Sequence, residues 1–275
     1  MSPDKKINKA GLVADFRALG LGSGHWVAVH SSLKAIGWVE GGPVSVIEAL
    51  REVVGDGGGI MLPLFIRPRG QLIDLSVTQS YLGLLPETFR NYPGVIRSAH
   101  PTHSVGILGP GALEMAEEHR HASYIGRGSP WDHLAHLDGY VLHIGCDWST
   151  SSILHLAEVL AEVPFLDVAY PGWETGVVAR HTDGSVISDI PREVPGDSAE
   201  FVLVRREMER RGMLERGKVG RADSVIASAR EMLDVGVGMM RADPEAFLCH
   251  QDDCAVCPRG REIISKLKQK RKGGK

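Results

Sequence analysis

The sequence has few cysteines, few aromatic residues and no long apolar run. Only four of its 275 residues are cysteines, and three of these lie close together near the C-terminus. This speaks against a disulfide framework and favours a reducing compartment. No stretch reaches the ~18 consecutive apolar residues that a membrane span needs, and the polar, lysine-containing start does not resemble a signal peptide. These absences predict a cytoplasmic protein with no membrane partner.

Neither sign of charge dominates the chain. The formal net charge is −3, from 31 Lys and Arg against 34 Asp and Glu. It provides no global basic field for nucleic acid and is compatible with a cationic small-molecule substrate. Hydrophobic residues make up 43% and charged residues 24% of the chain, the balance of an ordinary folded protein. The length fits one large α/β domain or two smaller domains.

Apolar periodicity predicts strands that alternate with helices. Residues 26–29 form an apolar run, residues 46–54 repeat apolar side chains at helical spacing, and residues 60–65 form a second apolar run. We interpret this as a strand, a helix and a strand. A further strand and a further helix fall at 141–145 and 153–163. The prediction is an α/β fold, a single large domain with a mixed, mainly parallel central sheet covered by helices.

The remaining segments are predicted with weaker signals. Residues 67–138 are rich in Gly, Pro, Ser and His, as is typical of loops that carry function. Further helices are predicted over residues 10–19, 84–91, 112–119 and 200–211. A hairpin-like turn falls at 182–184. The basic residues 266–275 are predicted to form a disordered tail, so the folded domain would comprise residues 1–265.

Two polar stretches offer groups that bind a cofactor. The first, His30 to Leu33, follows the first predicted strand, where hydroxyls and N–H groups at a helix start can hold phosphate or amide groups. A capped turn around a buried His30 explains the same residues.

The second polar stretch, Arg97 to Ser104, contains two imidazoles, a guanidinium and three hydroxyls in eight residues. Arg97 could bind phosphate as a bidentate donor; the alternative is a proline-stiffened surface loop.

A third stretch, Ser149 to Glu158, joins a helix start to an imidazole and a carboxylate. Its run of Ser and Thr supplies an N-cap. His155 and Glu158 fall at positions i and i+3, which places them on one face of the helix. A carboxylate beside an imidazole raises its basicity and can fix its tautomer, as a general base requires. A buried structural histidine on an apolar helix is the alternative.

The fourth stretch, Cys249 to Cys257, has the spacing of a zinc knuckle. Two residues separate Cys254 from Cys257, and His250 or Cys249 could supply a third ligand. No fourth ligand is evident nearby in the sequence. A structural zinc ion therefore stays open, with Cys249, His250, Cys254 and Cys257 as its candidate ligands. We expect these residues to matter for stability and not for chemistry.

Taken together, these stretches resemble the aminoglycoside 3-N-acetyltransferases. The motifs His30-Ser31-Ser32-Leu33, Arg97 to Ser104, Ser129-Pro130 and Leu154 to Glu158 occur in the family's order. The similarity spans roughly residues 12–257, and its C-terminal end resembles the apramycin- and gentamicin-modifying branch. The resemblance implies acetyl transfer from acetyl-CoA to the 3-amino group of a 2-deoxystreptamine aminoglycoside, which confers antibiotic resistance. It also implies a fold distinct from that of the GNAT acetyltransferases.

The resemblance further implies roles for individual residues. His155 would be the catalytic base, with Glu158 and Asp197 as nearby catalytic carboxylates. The cofactor-binding residues would be His30, Ser31, Ser32, Leu33, Arg97, Ser98 and Ser104. Carboxylates would bind the other ammonium groups of the substrate, namely Asp74, Glu158, Asp167, Asp197 and Glu200.

Two other functions stay open from the sequence. One is an N-acetyltransferase of the same fold that acts on another amine metabolite, such as an aminophosphonate or an amino-nucleotide. The other is a zinc-stapled nucleic-acid-binding module built on residues 249–257 and the lysine-rich tail, which would need a basic face and a complete ligand set. The charge balance disfavours the module, so we expect no nucleic-acid partner. The sequence is compatible with a homodimer.

Overall fold

Strands and helices alternate along the chain. The structure is a computed structural model that describes residues 7–67, 72–166, 178–181, 183–188 and 196–273, with side chains described as far as residue 270. The strands are β1 (Trp26–Ser31), β2 (Gly59–Pro63), β3 (Leu72–Asp74), β4 (Ile96–Arg97), β5 (Val105–Leu108), β6 (Tyr140–Ile144), β7 (Val178–Arg180), β8 (Val186–Ile187), β9 (Glu215–Val219) and β10 (Ala222–Ser228). The helices are α1 (Lys9–Ala18), α2 (Leu33–Ile36), α3 (Gly42–Val54), α4 (Leu84–Arg90), α5 (Ala112–Glu118), α6 (Pro130–His136), α7 (Ile153–Leu160), α8 (Val202–Arg210), α9 (Ala229–Ala242) and α10 (Cys257–Gly273).

A seven-stranded mixed sheet forms the centre of the fold. Its strand order is β4-β5-β2-β1-β6-β10-β9. The three central strands, β2, β1 and β6, run parallel, and every outer pairing is antiparallel. A small second sheet has the order β3-β7-β8. The predicted mixed sheet is confirmed, but parallel pairing is confined to its middle, and two antiparallel hairpins, β4-β5 and β9-β10, form its two sides.

Successive residues of the central strands pack into opposite apolar layers. In β1, Val27 and Val29 join one core with α1, α3 and α4, whereas Ala28 joins another core with α5 to α9. The same alternation holds in β6, where Leu142 and Val141 face opposite layers. Side chains alternate between the two faces of a strand, so a strand covered on both faces is apolar throughout. This explains the uninterrupted apolar runs in the sequence.

The parallel strands end at one edge of the sheet, and three loops begin there. Ser31 at the end of β1 lies opposite Ile144 at the end of β6, and β2 ends beside them at Pro63. The chain then enters α2, the loop before α7, and the segment that starts at Leu64. Ligands of parallel α/β sheets bind outside the carboxyl ends of the strands. The fold therefore brings two of the polar stretches, 30–33 and 149–158, to the start of the long segment that follows β2.

Most predicted elements in the first 160 residues are confirmed within a residue or two, except that α3 begins four residues earlier and α7 ends three residues earlier than predicted. They are α1, β1, α3, β2, α4, α5, β6 and α7. The helix predicted over 200–211 is a 3-10 turn, Ala199–Phe201, followed by α8. The predicted turn at 182–184 lies between the antiparallel strands β7 and β8; Thr182 itself is outside the described residues.

The C-terminal region differs from the prediction. Helix α10 continues through Gly273, so residues 266–273 are helical and the boundary predicted at residue 265 falls inside this helix. Its N-terminal half is anchored because Cys257 and Ile264 are buried in the core. Among the helices that the structure describes, none is long and apolar enough to cross a membrane.

Candidate active site

Helix α7 begins where β6 leaves the sheet. After Ile144, Asp147 accepts a hydrogen bond from the backbone N–H of Ser149 at 2.8 Å and so caps a 3-10 turn, Trp148–Thr150. Ser152 is the N-cap of α7, but its side chain makes no capping hydrogen bond. The predicted Ser/Thr cap of α7 is therefore wrong, and the capping side chain of this region, Asp147, belongs to the preceding 3-10 turn.

His155 and Glu158 pair directly on one face of α7. His155 Nδ1 lies 2.7 Å from Glu158 Oε2, so the two residues that the spacing places on one helical face also contact each other. Glu158 is only 1% exposed, and the backbone N–H of Gly196 donates to the same carboxylate oxygen at 3.2 Å. The ring of Phe201 packs edge-on against the imidazole at 4.7 Å. The carboxylate assigns the proton to Nδ1 and leaves the lone pair on Nε2.

His155 lines a cleft of about 770 Å³ at the carboxyl edge of the parallel strands. Two other imidazoles, His30 and His103, line the same cleft. Burial lowers the pKa of His30 to about 3 and lowers the pKa of His103 well below its ordinary value, so both rings are neutral at physiological pH. The ring of His155 is held by the carboxylate of Glu158. That contact favours it as the general base over the two others.

An adjoining groove of about 530 Å³ continues from the cleft past α2. Ser31 lines both, while Ser32, Leu33 and Lys34 line the groove. Ser32 Oγ accepts a hydrogen bond from Ala35 N at 3.3 Å and caps α2. The predicted cofactor stretch from residue 30 to residue 33 therefore lies along one continuous depression.

Arg97 is buried and holds the loop that follows β2 through hydrogen bonds to its backbone carbonyls. Its guanidinium donates to the carbonyl oxygens of Leu75 and Thr78, each at 2.8 Å, and to that of Leu64 at 3.3 Å. Its Nε donates to Ser104 Oγ at 3.0 Å, and this hydroxyl donates in turn to the Leu64 carbonyl at 3.0 Å. Arg97 is 8% exposed, and Ser104 is fully buried. Neither residue lines the cleft, which corrects their predicted place in the cofactor site.

Ser98 has a similar internal role. Its hydroxyl accepts a hydrogen bond from Val105 N at 2.8 Å and is bonded to His119 Nδ1 at 2.8 Å. The side chain is fully buried. The predicted cofactor contact of Ser98 is corrected in the same way, because a serine whose hydroxyl is used on both sides within the core is not offered to a ligand.

The predicted substrate-binding carboxylates are not gathered at the cleft. Asp74 accepts hydrogen bonds from the N–H and hydroxyl of Ser76 at the end of β3. Glu200 lies in the 3-10 turn before α8, and Glu158 is buried behind His155. None of the described residues that line the cleft carries a carboxylate. Asp167 lies outside the described residues.

Asp197 lies with the C-terminal cysteines. Its Oδ1 accepts a hydrogen bond from Ala199 N at 2.8 Å, and its Oδ2 lies 3.8 Å from Cys254 Sγ. The carboxylate and the thiols of Cys249, Cys254 and Cys257 all lie within 4.8 Å of one another. These contacts place Asp197 in the cysteine cluster instead of at the imidazole of His155, where the sequence predicted it.

His250 is not part of the cysteine cluster. Its Nδ1 accepts a hydrogen bond from the guanidinium of Arg261 at 3.1 Å, and the pair is exposed. The side chains that lie together are therefore those of Asp197, Cys249, Cys254 and Cys257, without His250. Asp197 lies 52 residues before Cys249, so no local sequence signal connects it with the cysteines.

Several cleft residues were not predicted. The guanidinium of Arg67 lies over the ring of Tyr81 at 4.6 Å, and both line the cleft with Phe65. Gly196 and Ser198 line it from the segment before α8. Arg67 follows the end of β2, so the rule that sites form at strand ends could have found it. The segment before α8 offers no such signal.

The fold and the site define an α/β protein of the enzyme type, with an imidazole oriented by a buried carboxylate in a cleft at the sheet edge. Residues 28–241 match the family model described as aminoglycoside 3-N-acetyltransferase. The chain belongs to this family.

Relatives and solved structures agree with this assignment. The chain is 33% identical over 268 residues to aminoglycoside N(3)-acetyltransferase VII of Streptomyces paromomycinus, covering 86% of this chain and 92% of the relative. It is similar in structure to a histidine-to-alanine mutant of AAC(3)-IVa in complex with a gentamicin, with a TM-score of 0.80, 28% identity and coverage of 96% and 100%. AAC-IIIb in binary complex with CoASH matches with a TM-score of 0.77, 27% identity and coverage of 86% and 97%.

Proposed function

We propose that this chain transfers the acetyl group of acetyl-CoA to the 3-amino group of a 2-deoxystreptamine aminoglycoside and so confers antibiotic resistance. The observation that carries the proposal is the hydrogen bond between His155 and Glu158 in the cleft of a member of this family. The complexes of related structures with a gentamicin and with CoASH support the two substrates. A cleft of about 770 Å³ that opens into a groove of about 530 Å³ has room for two partners.

The amine must lose a proton to react. A primary amine with a pKa near or above 7 is mostly protonated in water, and only the neutral form attacks a thioester carbonyl. His155 Nε2 accepts the proton as the N–C bond forms, and Glu158 stabilises the resulting imidazolium through Nδ1–H. The C–S bond of the tetrahedral intermediate then breaks, and the CoA sulfur leaves and takes up the proton from the imidazolium.

The oxyanion of the intermediate needs hydrogen-bond donors in the cleft. The hydroxyl of Ser104 is excluded from this role because it is hydrogen-bonded to Arg97 inside the long loop. The hydroxyl of Ser32 is excluded because it caps α2. Ser31 and Ser151 line the cleft, and their hydroxyls are buried without a hydrogen-bond partner among the described residues. We assign the oxyanion to donors around these two serines.

We propose that two cations bind the phosphates of CoA. Lys34 lines the groove and Arg67 lines the cleft, and both are more accessible than the buried Arg97. We infer that these two residues take the role that the sequence predicted for Arg97. His30 and Leu33 then form the wall against which the pantetheine arm packs.

We expect both substrates to bind before either product leaves. Cys146 is the one described cysteine that lines the cleft, and burial raises the pKa of its thiol, so no activated thiolate is available to form an acetyl-enzyme. Initial-rate kinetics should give intersecting double-reciprocal plots, and Cys146→Ala should keep near-normal turnover. Parallel plots together with acetylated protein in the mass spectrum would defeat direct transfer.

The substrate class can be tested by thiol release from acetyl-CoA. The panel would contain apramycin, gentamicin and neutral sugars, beside an aminophosphonate and an amino-nucleotide. We expect kcat/KM to be highest for the aminoglycosides. Turnover confined to another amine would favour the second candidate, an N-acetyltransferase of the same fold acting on that metabolite.

All four cysteines are free thiols. We infer from this the cytoplasmic location that the sequence predicts.

We further infer a structural zinc ion at the cysteine cluster. Cys254→Ser should lower the melting temperature by about 5–10 °C. The reason is that losing a bound ion removes about 2–3 kcal/mol or more of stability, and each kcal/mol corresponds to about 2–4 °C at this size. Differential scanning calorimetry with and without chelator checks this; an unchanged melting temperature contradicts it.

The predicted homodimer stays a proposal. Large apolar side chains are exposed at Trp38, 66%, and Val77, 68%, so the surface has apolar positions that a second copy could cover. Light scattering coupled to size-exclusion chromatography would give the mass in solution.

A further inference from the structure

We propose that the cysteine cluster positions the His155–Glu158 pair through Gly196, with Asp197 as the fourth ligand of a zinc ion held by Cys249, Cys254 and Cys257. The metal part stands on the geometry of the cluster alone. The positioning part rests on the proposed function, because it concerns the base of that reaction.

The donor set suits zinc. Four donor atoms, three sulfurs and one carboxylate oxygen, lie within 4.8 Å of one another. Tetrahedral zinc needs sulfurs at about 2.3 Å and oxygen at about 2.0–2.2 Å from the ion, so small side-chain rotations close the site. Soft thiolates select against magnesium and calcium. Since the protein fills all four positions, the ion holds the structure and does not bind substrate.

Backbone N–H groups already point at the sulfurs. Cys249 N donates to Cys257 Sγ at 3.2 Å, and Cys257 N donates to Cys254 Sγ at 3.4 Å. Such donors disperse the charge of metal-bound thiolates and fix their direction. Cys249 and Cys257 are buried, while Cys254 and Asp197 are half-buried, which leaves a side from which the ion can enter.

The proposed ligand Asp197 directly follows Gly196 in the chain, and Gly196 donates a hydrogen bond to Glu158. Gly196 N donates to Glu158 Oε2 at 3.2 Å, and the adjacent α-carbons of 196 and 197 are only about 3.8 Å apart. A β-carbon on Gly196 would lie 2.6 Å from Glu158 Oε1, so the backbone is pressed against the carboxylate. Displacing Asp197 therefore displaces a donor to Glu158.

The rest of the same short segment also faces the active site. Ser198 lines the cleft, and Phe201 packs on the imidazole of His155. Residues 196–201 thus form a bridge with the cysteine cluster on one side and the base on the other. A metal ion joining Asp197 to residues 249–257 would fix this bridge across a sequence separation of 57 residues between Asp197 and Cys254.

The metal arm of the test measures binding directly. Full-length protein is purified with zinc present, and zinc is counted by elemental mass spectrometry in wild type, Asp197→Asn, Cys254→Ser and the matched control His250→Ala. We expect one zinc per chain in wild type and His250→Ala and a loss in the two others. Cobalt substitution should give the absorption of a tetrahedral thiolate site. A metal-free wild type, a disulfide among these cysteines, or an Asp197→Asn protein with full zinc would overturn the site.

The positioning arm measures kinetics. Asp197→Asn should lower kcat by roughly 10-fold, the lower range for groups that orient an active-site ligand, with KM for acetyl-CoA unchanged and with an altered pH profile of kcat. Asp197→Cys should restore both the zinc content and kcat, because it supplies another zinc ligand. If Asp197→Asn lacks zinc but keeps the wild-type kcat and pH profile, the coupling is wrong. If wild type binds zinc but acetylates no amine, the proposed function fails and the metal site stands.

Discussion

Replacing His155 by alanine should lower kcat by roughly 10²–10⁴-fold, the usual contribution of a general base. The affinity for acetyl-CoA should stay nearly unchanged, because the imidazole acts on the amine and not on the cofactor. Glu158→Gln should give a smaller loss, since it removes the charge that stabilises the imidazolium but leaves the ring. Steady-state kinetics of both variants, beside the exposed control His136→Ala, would measure these effects.

The loss in His155→Ala should shrink as the pH rises. At high pH more of the substrate amine is already neutral, so the missing base is needed less. A ratio of wild-type to variant kcat that stays constant across the pH range would contradict a general-base role. The assignment would also fail if His155→Ala kept a near-normal kcat while His30→Ala or His103→Ala was inactive, because the base would then be one of the two other cleft imidazoles.

Replacing Arg97 by alanine should destabilise the fold by about 3–5 kcal/mol. The change removes the charged donor of the Leu75 and Thr78 carbonyls, whereas the Leu64 carbonyl keeps the hydroxyl of Ser104. Each unsatisfied buried group costs about 1–3 kcal/mol. Arg97→Lys should recover only part of this, because an ammonium group cannot reproduce the planar fork of a guanidinium. Urea denaturation would measure the change in the free energy of unfolding.

The matched variant for Arg97 is Arg67→Ala. Arg67 is exposed in the cleft, so its loss should weaken CoA binding with little change in the free energy of unfolding. Calorimetric titration of both variants with CoA separates the two roles. A stable Arg97→Ala protein with weakened CoA binding would restore the cofactor role that the sequence predicted.

The centre of the fold could be predicted because its strands are covered on both faces. β1 and β2 read as plain apolar runs, and α3 between them has clear helical spacing. Strand β9, Glu215–Val219, was missed because four of its five residues are exposed. An edge strand of this kind shows no apolar pattern in the sequence.

The sequence predicted only those contacts of the candidate site whose residues lie close together in the chain. His155 and Glu158 lie one helical turn apart, so their spacing sufficed. Arg97 and Ser104 were misjudged because a dense polar stretch looks the same in a sequence whether it braces a loop or binds a ligand. Asp197 meets Cys254 only through the tertiary fold, and no spacing rule connects them.

The position of the acetyl group on the product tests the account most directly. Wild-type protein, acetyl-CoA and gentamicin would be allowed to react to completion, and the product would be analysed by two-dimensional NMR. We predict a single acetyl group on the 3-amino nitrogen of the 2-deoxystreptamine ring, formed with one equivalent of free CoA. An acetyl group at another nitrogen, or no product with any 2-deoxystreptamine aminoglycoside, would contradict it.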